Sequence, residues 1–221
     1  HHANAICEKP LVLNPWNVEA LKEIEMETNQ KVYTILQLRH HPSIISLREK
    51  IKSGPKDKIY DLDLSYITSR GKWYGISWKG ELTRSGGIAT NIGIHFFDML
   101  IWVFGRVKNN EVHILNDNCA GGYLELEQAR IRWFLSINYD HIPKKIRESG
   151  KRTYRSLSME GEEIEFSDGF TDLHTVSYNS IIEGVGYGLK DAGPSIQLAH
   201  GIRHAAVTGN SSRNHPLLLG L

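Results

Sequence analysis

The chain has 221 residues, 40% of them hydrophobic and 23% charged, enough to bury a full core and ordinary for a globular protein. Its 26 basic and 25 acidic residues leave a net charge of +1, and no basic stripe is interleaved with aromatics, which excludes nucleic acid as the expected partner. Two distant cysteines, Cys7 and Cys119, make neither a disulfide framework nor a zinc site and suit a reducing cytoplasm; Asn91, His95 and Asp98 interrupt the best apolar run, so no membrane span is expected.

His1 and His2 read as the remnant of a purification tag, and no signal peptide is seen. The chain proper opens on Ala3 to Cys7, which reads as the last strand of something larger. Glu8-Lys9-Pro10 follows, then a well-marked helix with Asn14 as N-cap, Pro15 at the first helical position and Val18, Leu21 and Ile24 as its apolar side. Lys31 to Leu38 (KVYTILQL) is β-branched and aromatic and predicts a strand, whose alternation puts Gln37 on one face with Arg39. The strand ends in Arg39-His40-His41-Pro42. Ser43 to Lys52 is a second helix carrying Ile44, Leu47 and Ile51 on one side.

Residues 58–69 alternate, with Tyr60, Leu62, Leu64, Tyr66 and Thr68 on one face and Asp61, Asp63 and Ser65 on the other, as in a half-buried strand of an open sheet. Arg70 to Arg84 (RGKWYGISWKGELTR) is a basic, aromatic, glycine-rich loop. Beyond Gly105 the alternation returns: Glu111 to Leu115, Gly122 to Gln128, Ala129 to Asn138, Arg152 to Met159 and Glu162 to Phe166 predict an antiparallel meander. A cationic connection, His141 to Lys151, interrupts it. Two helices, about Thr171 to Val185 and Pro194 to Thr208, finish the chain, with Gly184, Gly186 and Gly188 as a helix end and turn between them.

The stretch that organises the rest is Ser85 to Gly105 (SGGIATNIGIHFFDMLIWVFG), read as one buried helix ending on its glycine. Ile88, Ile92, Phe96, Met99 and Val103 form its apolar stripe, yet Asn91, His95 and Asp98 also lie one turn apart. Two readings are open. Each is a satisfied core group, or Asn91 and His95 face an active-site cleft, with His95 as general base and Asp98 orienting them from behind. A metal site lacks further ligands at suitable spacing, so none is assigned.

Cys7-Glu8-Lys9-Pro10 at a strand end, then Gly-Gly-X5-Gly-Ile-His-X2-Asp, then a mainly antiparallel sheet, resembles the Gfo/Idh/MocA oxidoreductase family. LQLRHHPSI, SRGKWYGISWKGE and SGGIATNIGIHFFDML are similar to its UDP-2-acetamido-2-deoxyglucuronate 3-dehydrogenase branch, which serves O-antigen and related lipopolysaccharide pathways. The resemblance implies an α+β fold: an open, mainly antiparallel sheet with helices on one face, forming a catalytic, substrate and oligomerisation domain over residues 31–221. Residues 1–30 would be the tag remnant plus the last strand and helix of a Rossmann domain that is otherwise essentially absent, since no Gly-X-Gly-X-X-Gly sits between a strand and a helix.

The chemistry implied is NAD-dependent oxidation of a sugar hydroxyl, with NADP open as the alternative. Glu8, Lys9 and Pro10 border the cofactor. Lys9 stabilises the charge on the reacting oxygen, and His95 takes its proton. Asn91 stands where many members carry aspartate, which makes it a positioning group rather than part of a proton relay. Gln37, Arg39, His40, Lys72, Tyr74, Trp78 and Lys79 are the candidate contacts to an anionic nucleotide sugar, with a helix-capping role for Arg39-His40-His41 equally open. Lys144, Lys145, Arg147 and Arg152 either meet a diphosphate or form a charged surface loop. The outward sheet face, with Tyr60 and Phe134, is expected to make a homodimer or homotetramer. This chain alone is expected to hold NAD weakly and to be inactive. Its rivals are another sugar or polyol dehydrogenase of the family and a non-catalytic sugar-binding or oligomerisation module.

Overall fold

A computed structural model describes residues 2–71, 73–164, 172–209 and 211–220. The chain begins with β1 (Ala5–Cys7), α1 (Pro15–Thr28) and β2 (Val32–Thr34), and β1 and β2 pair in parallel as a two-stranded sheet. β2 is much shorter than Lys31–Leu38. Its partner offers only three residues, so beyond Thr34 little remains to pair with, and Gln37–His40 coils into a 3₁₀ turn instead of alternating. Of the expected α1 stripe, Val18 is buried, Leu21 is half-buried and Ile24 is exposed. α2 (Pro42–Ser53) buries Ile44, Leu47 and Ile51 as their spacing requires.

The main sheet has six strands. β3 (Tyr60–Thr68) is followed, after the helices described below, by β4 (Val107–Leu115), β5 (Cys119–Leu126) and β6 (Ala129–Ser136), then by β7 (Thr153–Met159) and β8 (Glu162–Glu163), in the spatial order β4-β5-β6-β3-β7-β8. The expected meander is therefore interrupted: β3 inserts between β6 and β7, parallel to the first and antiparallel to the second, with Leu64 beside both Trp133 and Leu157. The remaining pairings are antiparallel. Phe166 and Thr171, expected at an end of the last strand and of the next helix, lie outside the described residues.

Glycine decides the shape of the central apolar stretch. It is three helices rather than one: α4 (Leu82–Ser85), following the short α3 (Trp73–Ile76), then α5 (Gly87–Asn91) and α6 (Ile94–Phe104), with a 46° bend between Leu82–Asn91 and Ile94–Phe104. Gly86 and Gly87 take φ of 72° and 71°, where a side chain is strained. At Gly93 a Cβ would lie 2.5 Å from the Ala89 carbonyl and 2.6 Å from the Leu135 side chain, so the bent backbone rests directly on the sheet. The predicted stripe survives the breaks: Ile88, Ile92, Phe96, Met99 and Val103 are all buried. Residues 70–84, expected as a loop, hold α3, α4 and a 3₁₀ turn at Trp78–Gly80.

α7 (Lys144–Glu148) lies in the β6–β7 connection. α8 (Leu173–Ile182) and α9 (Leu189–His204) complete the helices; α9 starts at Leu189, well before Pro194, because the Gly188 N–H donates to the Asp191 carboxylate at 3.0 Å and caps it. α2, α5, α6 and α9 cover one face of the sheet, where Leu62, Leu64, Trp133 and Leu135 meet Phe97, Leu100 and Ile202. α1 packs on α9 through Val18, Ala192 and Ile196.

The opposite face is not left open where the sequence suggested. Phe134 is fully buried there under Ile142 and Leu218, the latter from a 3₁₀ turn at Pro216–Gly220. Tyr60 points to the helix side, its ring 6.3 Å from Phe104. Neither residue is offered to a second subunit. Among the described residues no single helix is long and apolar enough to cross a membrane.

Candidate active site

The bend between α5 and α6 exposes the carbonyl of Asn91 at a helix end, where it lacks the usual intrahelical partner. The turn after β1 delivers Lys9 to that point, and its Nζ donates to the Asn91 carbonyl at 2.7 Å. One turn on, His95 occupies the first turn of α6. Tyr74, on α3, reaches back from the other side, and its hydroxyl accepts the Asn91 Nδ2–H at 2.6 Å. Three separate segments of the chain, at residues 9, 74 and 91–95, thus meet around one bend.

Lys9, Gln37, Tyr74, Lys79, Asn91 and His95 line one small pocket of about 240 Å³. All six were candidates from the sequence. Tyr66, Arg70 and Arg155 share its wall and were not. Tyr66 and Arg155 sit opposite each other on β3 and β7, a pairing fixed only by sheet register, whereas Arg70 follows β3 at the head of the basic loop already suspected. Through Arg70, Tyr74 and Lys79 the pocket adjoins a cleft of about 860 Å³, whose walls also carry Asp117, Arg152, Arg203, Gly86 and Gly87.

The small pocket is buried and electropositive, which sets the protonation of its groups. Burial, then the positive charges of Lys9, His174 and Arg155, hold the His95 imidazole well below its usual pKa, so at neutral pH it is uncharged and can accept a proton. Burial lowers Lys9 to about 8; Glu8 opposes the shift while Arg70 and Lys79 add to it. Burial raises the Tyr74 phenol, which stays protonated at working pH.

Several expected contacts fall elsewhere. Asp98 does not stand behind His95. It is buried on the far side of α6, where Arg39 grips it with two bonds, Nε to Oδ2 at 2.9 Å and Nη2 to Oδ1 at 2.7 Å. Arg39 also reaches Asp191 at 3.1 Å and stacks over Tyr187 at 4.7 Å, so it is a structural cation rather than a wall of the pocket. Burial raises the Asp98 carboxyl against the pull of Arg39. His40 packs on Tyr187, at 5.4 Å between rings, outside both cavities, and His41 caps α2 by accepting the Ser43 N–H at 3.2 Å. Trp78 is half exposed with Lys79 5.8 Å over its ring, and lines neither cavity. Lys72 lies outside the described residues. Glu8 contacts His174 at 3.3 Å. Of Lys144, Lys145, Arg147 and Arg152, only Arg152 reaches the cleft; Lys144 and Lys145 lie on α7, and Arg147 meets Asp140 at 3.4 Å.

Among the described residues no group of three or more His, Cys, Asp and Glu is placed to hold a metal. The connection from β1 to α1, Glu8 to Asn14, contains no glycine and cannot offer the close backbone approach that a pyrophosphate needs.

Residues 48–145 match the C-terminal alpha/beta domain of the GFO_IDH_MocA oxidoreductase family. The WlbA (WbpB) dehydrogenase from Thermus thermophilus, solved in complex with NAD and UDP-GlcNAcA, is 50% identical with a TM-score of 0.92, over 97% of this chain and 69% of that one. The Bordetella pertussis WlbA dehydrogenase, solved with NADH and UDP-GlcNAcA, shares the fold at 16% identity with a TM-score of 0.75, over 94% of this chain and 70% of that one. Inositol 2-dehydrogenase from Rhizobium meliloti (strain 1021) is 30% identical over 100 residues, 45% of this chain and 29% of that protein, and the chain spans less than a third of the curated relatives it matches. With a half-identical dehydrogenase covered over more than two thirds of its length and the sheet-and-helix arrangement in common, the chain belongs to the Gfo/Idh/MocA oxidoreductase family, whose C-terminal domain it contains.

Proposed function

We propose that this chain is the substrate-binding and proton-handling part of an NAD-dependent nucleotide-sugar dehydrogenase. It oxidises the C3 hydroxyl of a UDP-N-acetylglucosaminuronate-like substrate for surface polysaccharide biosynthesis in the cytoplasm. One observation carries the reading. A pocket holding a neutral imidazole and an ammonium joins, through Arg70, Tyr74 and Lys79, a larger cleft that adds Arg152 and Arg203. A secondary hydroxyl fits the first, and a multiply anionic remainder fits the second.

In the first pocket His95 accepts the hydroxyl proton, and Lys9 offsets the negative charge that grows on the oxygen. Asn91 ties Lys9 to Tyr74 and holds the wall rigid. The hydride acceptor, NAD(P), belongs to a dinucleotide-binding domain outside these residues, which is why the chain alone is expected to be inactive. The Thermus enzyme's complex with UDP-GlcNAcA supports the substrate class. A homodimer or homotetramer through the open sheet is part of the same reading, without Tyr60 and Phe134 at the contact, and is tested by light scattering at micromolar concentration.

The deciding assay supplies the full-length protein with NAD and compares UDP-GlcNAcA, myo-inositol and free hexoses. NADH should form with the nucleotide sugar alone. Turnover of inositol or a free hexose in its place overturns the substrate assignment, and no oxidation of any of them favours a binding module.

A further inference from the structure

Asn91 and Tyr74 form a pair whose hydrogen-bond accounting is informative. A phenol has one proton to donate and lone pairs to accept with. Here the Tyr74 oxygen accepts from Asn91 Nδ2 at 2.6 Å, so its own proton must point elsewhere. The residue is buried and lines the same pocket as Lys9 and His95, and among the described residues the hydrogen bond found at its hydroxyl is the one it accepts from Asn91.

We propose that Tyr74 donates a hydrogen bond to the sugar, and that Asn91 is the positioning residue that turns the Tyr74 hydroxyl proton into the pocket. This rests on the nucleotide-sugar reading above and assigns it two further determinants. The identity of residue 91 matters because an amide and a carboxylate of the same shape behave oppositely. The amide donates to the phenol and leaves its proton for substrate. A carboxylate is acceptor-only and takes that proton for itself. One isosteric change at 91 therefore reverses the phenol's direction without moving an atom of the wall.

The test is a double-mutant cycle in the full-length enzyme with UDP-GlcNAcA and NAD. Tyr74→Phe and Asn91→Asp should each lower kcat/KM about three- to tenfold, as expected for one hydrogen bond to substrate. The double variant should be no worse than either single one, because each removes the same donated proton. Melting curves of all four proteins separate this from unfolding. The acid limb of the pH–rate profile provides a readout that a purely structural role would not move: a carboxylate at 91 beside His95 raises the imidazole's basicity and shifts that limb upward in both Asn91→Asp backgrounds. Additive losses, or a Tyr74→Phe enzyme indistinguishable from the parent, overturn the proposal. A parent enzyme that does not oxidise the nucleotide sugar overturns the function itself, so the two failures are distinct.

Discussion

Helix α6 carries two polar side chains three residues apart with opposite fates. Asp98 is buried with a matched partner, held by two bonds from Arg39, which is itself shared with Asp191 and stacked on Tyr187. His95 faces a cavity where, among the described residues, the charged groups that act on it are Lys9, His174 and Arg155. The same stretch of backbone thus supports a charge cluster that holds elements together and, on the function proposed above, a base that faces substrate. The difference lies in the partners brought by distant segments: Arg39 comes from the turn after β2 and supplies a counter-charge, whereas Lys9 comes from the turn after β1 and supplies more positive charge.

The contrast breaks most visibly at Asp98. Asp98→Ala leaves the Arg39 guanidinium buried without its main partner, and it should cost about 3–5 kcal/mol of stability. Chemical denaturation checks this, and a loss below about 1 kcal/mol would mean that the cluster is ornamental. His95→Ala should do the reverse. Its kcat should fall by about 10²- to 10⁴-fold in the full-length enzyme while the melting temperature stays close to the parent's. A drop in melting temperature like that of Asp98→Ala would place His95 with the structural groups.

Lys9 gives the smallest and most particular effect. Its pKa in the folded protein is about 8, against an ordinary 10.5, so between those values the unfolded chain holds more protons and the contribution of this group to stability rises with pH. Below pH 8 the full cost of burying the ammonium is present. Lys9→Met removes that titration, and its stability advantage over the parent should therefore shrink as pH climbs from 8 to 10.5. Denaturation at four pH values reads it, and parallel curves for the two proteins would show that Lys9 is not buried as charge.

What was legible in the sequence follows from the range of the interactions. Ile88, Ile92, Phe96, Met99 and Val103 announced a buried stripe because helical spacing is local, and the loop rich in Trp, Tyr and Lys announced a wall of the cleft. The break at Gly93 was not legible, because it depends on how closely the backbone rests on Leu135. Nor was the partner of Asp98, which lies 59 residues away. Gln37 reached the pocket for a reason other than the one predicted: β2 ran out of partner and coiled, which sent Gln37 to the cavity and Arg39 into the core. The insertion of β3 beside β6 is a matter of topology on which strand alternation is silent.

The wall shared by the two cavities has a consequence for selectivity. Arg70 and Lys79 help to lower the pKa of Lys9, so a ligand whose negative groups neutralise them raises it again and holds the ammonium to higher pH. A neutral sugar of the same outline leaves it depressed. Under the proposed function, an anionic substrate thereby widens the pH range over which Lys9 carries its charge, and an uncharged mimic of the same shape does not.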